Sequence, residues 1–418
     1  MNITKFKSTL YNFSRHINNF ITNENYNYIK RNRKLDLHDI FLYKLLSNQP
    51  GKNTISSTNT LNEFRKSCIS RQAYDKKSNI IDIHFYDKLL KEVNNFINTN
   101  FIIENHTNNI INHTNNIINH QIYAIDGTFN NLKGNIKNAT IKKNKNGSIT
   151  AESMGIFNIT YNMPYHIIMN EHHNERKSLI DYINDPNNLI NKGSIIVMDR
   201  GYCGKEIYNK LSENNLYFIC RIKKNDSLIT NNNDNIIDIN EKYIKQVRII
   251  NYKCKNNDYY IATNLIDKNK YPIKMIADIY YKRWNIEDFF RYLKKNNKYD
   301  KMDDIKFESI KKNIYSQLIL SKIVYLFSNY FSRNLPTNKK VNATSLTTGI
   351  YDSFIINFIY CSKYVKKFSK NYIDLFIAIY INIIDTDKGK DLTNPRISKT
   401  PNTKWYIKSN LMIYNKNK

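Results

Sequence analysis

Three acidic residues of this 418-residue chain stand apart by position. Asp126 ends the short apolar run Q-I-Y-A-I-D, residues 121–126, and Asp199 ends a second, S-I-I-V-M-D, residues 194–199. Glu287 sits mid-helix in Y-Y-K-R-W-N-I-E-D-F-F-R-Y-L-K-K, Tyr280 to Lys295, among aromatic and basic neighbours. A carboxylate closing a buried strand loses hydration, and a divalent cation compensates that loss well. Magnesium takes oxygen ligands in octahedral geometry, with water and substrate phosphate completing a shell begun by a few carboxylates. Two such ions can activate a water or hydroxyl and stabilise the leaving oxygen of an in-line phosphoryl displacement. Each acid alone also has a plainer reading. Asp126 and Asp199 could be turn or helix N-cap residues, and Glu287 an i,i+4 partner of Arg283 or Arg291. The metal reading needs all three together.

The stretch around Glu287 carries further chemistry. At about 100° per residue, Tyr280, Arg283, Glu287 and Lys294 fall within roughly a 60° arc. Ile286, Phe289, Phe290 and Leu293 lie beside it and supply a core face. Arg283 offers phosphate a bidentate fork and Lys294 a point charge. Tyr280 can donate a hydrogen bond or stack. The same spacing also describes a solvated charged stripe.

The elements that must position these residues read as follows. Residues 1 to about 95 are mostly helical and basic, with helix-like spacing over Leu35–Leu46, Leu61–Ser70 and Phe85–Ile97 and a turn at Q-P-G-K-N-T. Residues 105–120 are a near-perfect tandem repeat, N-H-T-N-N-I-I. His106, His113 and His120 there invite a metal reading, but a polar linker produced by slippage in an A/T-rich gene is the commoner origin. Strands follow at 121–126, 149–163 and 165–169, a helix at N-E-R-K-S-L-I-D-Y-I, a strand at 194–199, a helix at K-E-I-Y-N-K-L and a strand at 216–222. Three strands, helix, strand, helix, strand is an α/β order. Residues 223–272 break it. S-L-I-T-N-N-N-D-N-I-I-D-I-N reads as loop, and Q-V-R-I-I-N-Y-K-C with Y-Y-I-A-T-N-L as an antiparallel pair. One long helix is expected from about Ile273 to Asn297, then further helices and a C-terminal tail.

The net charge is +28 and the pI about 9.6. Such a surface repels itself unless it meets a polyanion, nucleic acid first and an anionic membrane second. The membrane is disfavoured. No run approaches the roughly 18 apolar residues of a spanning helix, and M-N-I-T-K-F-K-S-T-L lacks a signal-peptide core. A soluble, intracellular chain without a membrane partner is expected. The five scattered cysteines form no C-x-x-C pair, so buried reduced thiols are expected rather than disulfides or zinc.

These motifs together carry a resemblance. Y-x2-R-x3-E-x6-K at Tyr280, Arg283, Glu287 and Lys294 resembles the Y-R-E-K signature of the IS-four-like DDE transposases of bacterial insertion sequences. I-D-G-T at 125–128 and V-M-D-R-G-Y at 197–202 are similar to the family's first and second aspartate motifs. F-I-C-R-I-K, I-A-T-N-L and, faintly, S-R-Q-A-Y-D-K-K at 70–77 resemble its other segments. The likeness spans roughly residues 60 to 330. It implies an α/β, RNase H-like catalytic core with a β-strand insertion, flanked by helical N- and C-terminal regions. Residues 1–100 would be a basic DNA-binding region, 101–120 a linker, 121–300 the catalytic domain with its insertion at 223–272, and 301–418 a helical region suited to dimerisation.

The resemblance further implies that Asp126, Asp199 and Glu287 form a catalytic triad holding two Mg2+ ions, for which Mn2+ can substitute. Tyr280, Arg283, Lys294 and Arg200 would contact DNA. Trp284 would stack on a base, although a core position is commoner for such a residue. The implied activity is cut-and-paste transposition: hydrolytic nicking of the transposon end, then strand transfer by the freed 3′-hydroxyl, in some members through a hairpin. The implied partners are double-stranded inverted-repeat ends, target DNA and a second copy of the chain. A decayed copy that only binds DNA, and an RNase H-like nuclease without strand transfer, are the alternatives.

Overall fold

A computed structural model of the chain describes residues 3–385 other than 30–33, 102–119, 133–148, 171–173, 231, 255–256, 300, 303–305, 334, 337 and 361–369. Five helices come first: α1 (Ile3–Tyr28), α2 (Leu37–Ser47), α3 (Thr54–Arg65), α4 (Arg71–Ile80) and α5 (Ile83–Asn100). Their starts are written locally. Asp36 and Asp39 form a reciprocal capping box on α2, and Asn53, Ser70 and Asp82 cap the next three.

A large mixed sheet follows. Strands β1 (Ile122–Leu132), β2 (Ile149–Asn158) and β3 (Met163–Asn170) form an antiparallel meander. Helix α6 (Glu175–Asn184) leads to β4 (Ile195–Met198), a 3-10 turn (Arg200–Tyr202) and α7 (Lys205–Glu213), then β5 (Tyr217–Ile222). Strand β4 lies parallel between β1 and β5. Covered on both sides, it is a bare apolar run with every residue buried. Strands β6 (Asp234–Asp238), β7 (Gln246–Cys254) and β8 (Asn257–Thr263) extend the sheet antiparallel beyond β5, giving the order β3-β2-β1-β4-β5-β8-β7-β6. A short β9 (Lys301–Met302) joins the far end of β1.

Alternation along the strands sends side chains to two cores. Tyr123, Ile125, Ile196 and Met198 meet Leu179 and Ile183 of α6 and Ile207, Tyr208 and Leu211 of α7. Ile122, Ala124, Ile195 and Val197 face the other way. There they belong to a core with α8 (Ile273–Tyr281), α9 (Trp284–Asn296), α10 (Phe307–Ser332) and the N-terminal helices. The C-terminal elements α11 (Ala343–Gly349), a π-helical turn (Ile350–Phe354) and α12 (Ile355–Tyr360) join the same core. So does α13 (Lys370–Tyr380) through Ile373 and Phe376. Phe6 meets Phe327 edge-on at 5.5 Å and Phe13 meets Phe358 at 5.3 Å, so α1 packs against α10 and α12. No helix among the described residues is long and apolar enough to cross a membrane.

Several expectations need correction. Strand β1 does not stop at Asp126 but continues to Leu132 on its β2 side. The loop expected at 227–240 contains β6, held by β7. The single helix over 273–297 is two, broken at Lys282–Arg283. Helical spacing over Leu61–Ser70 spans a helix end, because α3 stops at Arg65 with Lys66 left-handed (φ 52°). Cys68 is exposed rather than buried. The repeat, apart from His120, and the tail beyond 385 lie outside the described residues. Among the described residues His120 joins no metal cluster, and its ring nitrogens lie 2.6 Å from the Gly193 carbonyl and 3.0 Å from the Tyr271 hydroxyl.

Candidate active site

Parallel pairing of β1 with β4 ends at Ile125 and Met198. Asp126 and Asp199 are each the next residue, so the register alone sets the two carboxylates side by side at the carboxyl ends of neighbouring strands. Both continue the alternation of Ala124 and Val197, toward the α9 face. Across the ladder Asp126 is paired with Gly155 of β2. A Cβ on Gly155 would come within 2.5 Å of Phe290 Cζ and 3.4 Å of Ile286 Cδ1. Glycine there lets α9 seat against β2, one turn from Glu287.

Arg283 joins the acids. Its Nη1 donates to Asp126 Oδ2 at 3.1 Å and its Nη2 to Glu287 Oε1 at 2.5 Å. The side chain is buried, with its Nε unpartnered, and its guanidinium carbon lies 5.1 Å from the Trp284 ring centre. The i,i+4 pair with Glu287 is therefore real, and it is also a bridge to the sheet. Asp199 does cap the 3-10 turn, accepting from Gly201 N–H at 2.7 Å. Asp126 accepts from Gly127 N–H at 3.0 Å.

Charge is crowded here. Burial pushes the Asp126 carboxyl up to about 6; Arg283 opposes this, and the neighbouring Asp199 and Glu287 add to it. Burial alone would lower the Arg283 pKa, but Tyr280, Asp126 and Glu287 together raise it. Arg283 is thus a permanent cation among carboxylates that repel one another.

Of the other residues singled out in the sequence, Tyr280 ends α8 and is buried, near Arg283. Lys294 lies half-buried in the last turn of α9. Arg200 is exposed in the turn after Asp199. Trp284 is 46% exposed, which corrects the core reading. The helix break means that Tyr280 and Arg283 do not share one regular helix with Glu287. Tyr280 lies in the last turn of α8, and Arg283 in the turn preceding α9.

Sequence reasoning missed two further acids and a phenol. Glu175 opens α6, and its carboxylate fills the space where a side chain on Gly127 would otherwise stand. A Cβ on Gly201 would lie 2.9 Å from Asp199 Oδ1 and 3.4 Å from Glu175 Oε2, which sets those two carboxylates around one point. Burial, then Asp126 and Asp199, push Glu175 up to about 7. Burial and Glu175 push Glu152 of β2 up to about 7. Glu175 read as an ordinary acid at a helix N-terminus. Glu152 did leave a signal, as the one charge in the strand I-T-A-E-S-M-G-I-F.

Among the described residues no three His, Cys, Asp or Glu side chains stand as a ready-made metal cage. The donor set still suits a hard divalent cation. It is oxygen only, and the largely buried Asp126 carboxyl has Asp199 and Glu287 as like-charged neighbours.

Residues 118–321 match the family model described as a transposase DDE domain. A protein of Synechocystis assigned as the transposase of insertion sequence element IS4SA is 31% identical over 140 residues. That match takes in 32% of this chain and 41% of the relative, so the chain spans less than half of that relative's length. A synaptic complex of piggyBac transposase with hairpin DNA aligns over 91% of this chain and 85% of its own, at 11% identity and a TM-score of 0.42.

Proposed function

We propose that residues 118–321, which match a transposase DDE domain, form a domain of the IS-four-like kind, and that the protein cuts DNA at transposon ends and joins the freed ends to target DNA. The observation that carries this reading is the Asp126–Arg283–Glu287 bridge beside Asp199, at the carboxyl ends of two adjacent parallel strands.

The strand order β3-β2-β1-β4-β5, with helices after β3 and β4, supports an RNase H-like core, and β6–β8 read as its insertion. Asp126, Asp199 and Glu287 would hold two Mg2+ ions, with Mn2+ as substitute. When bound, these supply a Lewis acid for the scissile phosphate and an activated oxygen nucleophile. The chain's own contribution is placement. The sheet register fixes the two aspartates, and α9, seated on Gly155, brings Glu287 to them. Arg283 keeps the acids ionised and at their spacing while the site is empty of substrate.

Arg200 and Trp284, both exposed, and Lys294 at the rim would take DNA phosphate and a stacked base. Tyr280 and Arg283, being buried, act on DNA chiefly through the acids they border. Residues 1–100, joined to residues 121–300 through the 101–120 linker, would serve end binding, and residues 301–418 dimerisation. The partners are then double-stranded inverted-repeat ends, target DNA and a second copy of this chain.

The test is Asp126→Asn, Asp199→Asn and Glu287→Gln assayed on end-containing duplexes with Mg2+ or Mn2+. Each should lower cleavage by at least about a hundredfold, as losing several kcal/mol of metal-based stabilisation requires, with duplex affinity kept within a few fold. Full cleavage by any one variant removes that residue from the triad. Cleavage without joining by the wild-type protein reduces the reading to a nuclease.

A further inference from the structure

The two motif glycines, Gly127 after Asp126 and Gly201 after Asp199, border the same object. A Cβ built on Gly127 would fall on the Glu175 carboxylate, and one built on Gly201 would lie 3.4 Å from Glu175 Oε2. Neither glycine needs its backbone freedom here, since neither has a positive φ among the described glycines. What Gly127 provides is room that the Glu175 carboxylate occupies, while the space at Gly201 is taken first by Asp199 Oδ1 at 2.9 Å, with Glu175 Oε2 next at 3.4 Å.

Glu175 is delivered by α6 from the opposite face of the sheet to α9. Asn174 caps that helix, accepting from Lys177 N–H at 3.0 Å. The adjacent Arg176 donates to the carbonyls of Gly201 (2.8 Å) and Cys203, which ties the helix start to the turn that follows Asp199. The start of α6, and with it Glu175, is thus tied to the turn beyond β4.

A carboxylate cluster alone would not make Glu175 a ligand, but the wall behind it is unusual. Tyr202 is fully buried, its hydroxyl has no partner among the described residues, and it feels the charges of Glu175, Asp126, Asp199 and Glu152. Glu152 is 1% exposed, with its Oε1 unpartnered, and Glu175 is the charge acting on it. An unpaired buried hydroxyl and an unpaired buried carboxyl cost free energy unless something at the site satisfies them. A cation bound by Glu175 would draw this shell together, with the hydroxyl donating to a liganding carboxylate.

We propose that Glu175 is a fourth carboxylate of the metal centre, ligating a divalent cation together with Asp126 and Asp199, and that Tyr202 and Glu152 position it from behind. This rests on the phosphoryl-transfer reading of the site. It makes the centre one in which α6 and α9 each contribute a glutamate, from opposite faces of the sheet, to two strand-end aspartates.

The experiment measures Mn2+ affinity of the full chain by titration calorimetry and electron paramagnetic resonance, with thermal melts in parallel. Glu175→Gln is compared with wild type and with Glu206→Gln, an exposed acid on α7. Loss of a ligand should weaken Mn2+ binding about tenfold or more. The Mn2+-induced rise in Tm should shrink, while the metal-free Tm stays level or rises and Glu206→Gln behaves as wild type. Wild-type affinity in a folded Glu175→Gln protein overturns the proposal.

A second measurement needs no variant. Fe2+-directed hydroxyl-radical cleavage of the wild-type chain should cut within the first turn of α6 as well as beside Asp126 and Asp199. Cuts confined to the aspartates overturn the proposal. Wild-type protein that neither binds Mn2+ nor cleaves DNA overturns the phosphoryl-transfer reading along with it. Normal wild-type binding and cleavage with an unaffected Glu175→Gln overturns only the fourth ligand.

Discussion

Arg283 Nη1 donates to Asp126 Oδ2 at 3.1 Å across 157 residues of sequence, and the guanidinium that makes this bond also holds Glu287. The bridge fixes α9 relative to β1 more sharply than apolar packing could, because it is directional at both ends. Removing the arginine leaves two acids partly buried without their cation. Arg283→Ala should therefore destabilise the protein by about 3 kcal/mol at pH 8, read by urea unfolding. The loss should be smaller at pH 5, where Asp126 is largely protonated and the pair contributes less. Equal losses at both pH values would show that the arginine acts through packing alone.

Three carboxyls here have folded pKa values above their ordinary ones: Asp126 at about 6, Glu152 and Glu175 at about 7, each first because of burial. The sign follows directly. The folded state binds more protons than the unfolded state between about pH 4 and pH 7, so stability falls as pH rises through that window. Metal-free protein should melt highest near the acid end of the window and lose Tm toward pH 8, an effect on the order of a few kcal/mol. Saturating Mn2+ should recover most of the loss at pH 8. A flat metal-free profile would mean that the three acids do not share one environment.

Gly155 tests how closely α9 must approach the sheet. A Cβ there would come within 2.5 Å of Phe290 Cζ, and the ring is buried with little space to move. Gly155→Ala should cost about 1–3 kcal/mol through overpacking. Because Phe290 and Glu287 share α9, cleavage should fall by more than duplex binding does. A variant with wild-type Tm and wild-type cleavage would show that the helix is free to shift.

Trp284 separates DNA contact from the acid site. It is half exposed, and the Arg283 guanidinium lies over its ring. Trp284→Ala should leave Tm nearly unchanged and weaken binding to a transposon end roughly tenfold, the value of one stacked base. Lys294→Ala should instead weaken binding evenly across sequences and lower the salt dependence. If Trp284→Ala binds every duplex as wild type does, the indole has no base partner.

Much was readable along the chain because it depends on neighbours a few residues apart. The α/β order came from the apolar period changing between strands and helices. β4 showed itself as I-I-V-M, a run that only a strand covered on both faces can tolerate. Asp126, Asp199 and Glu287 stood out by position in such elements. Other features were settled only by the tertiary fold. Asp126 looked like a strand end because polar residues follow it, yet β1 runs on, since β2 continues to pair with it after β4 has stopped. The helix break at Lys282–Arg283 turns Arg283 from a surface cation toward Asp126. Glu175 was invisible as a site residue because its neighbours are two glycines from distant motifs, and the absence of side chains leaves no periodic signal. Local spacing names which residues are candidates; strand register and the closing of helices over both sheet faces decide which carboxylates meet.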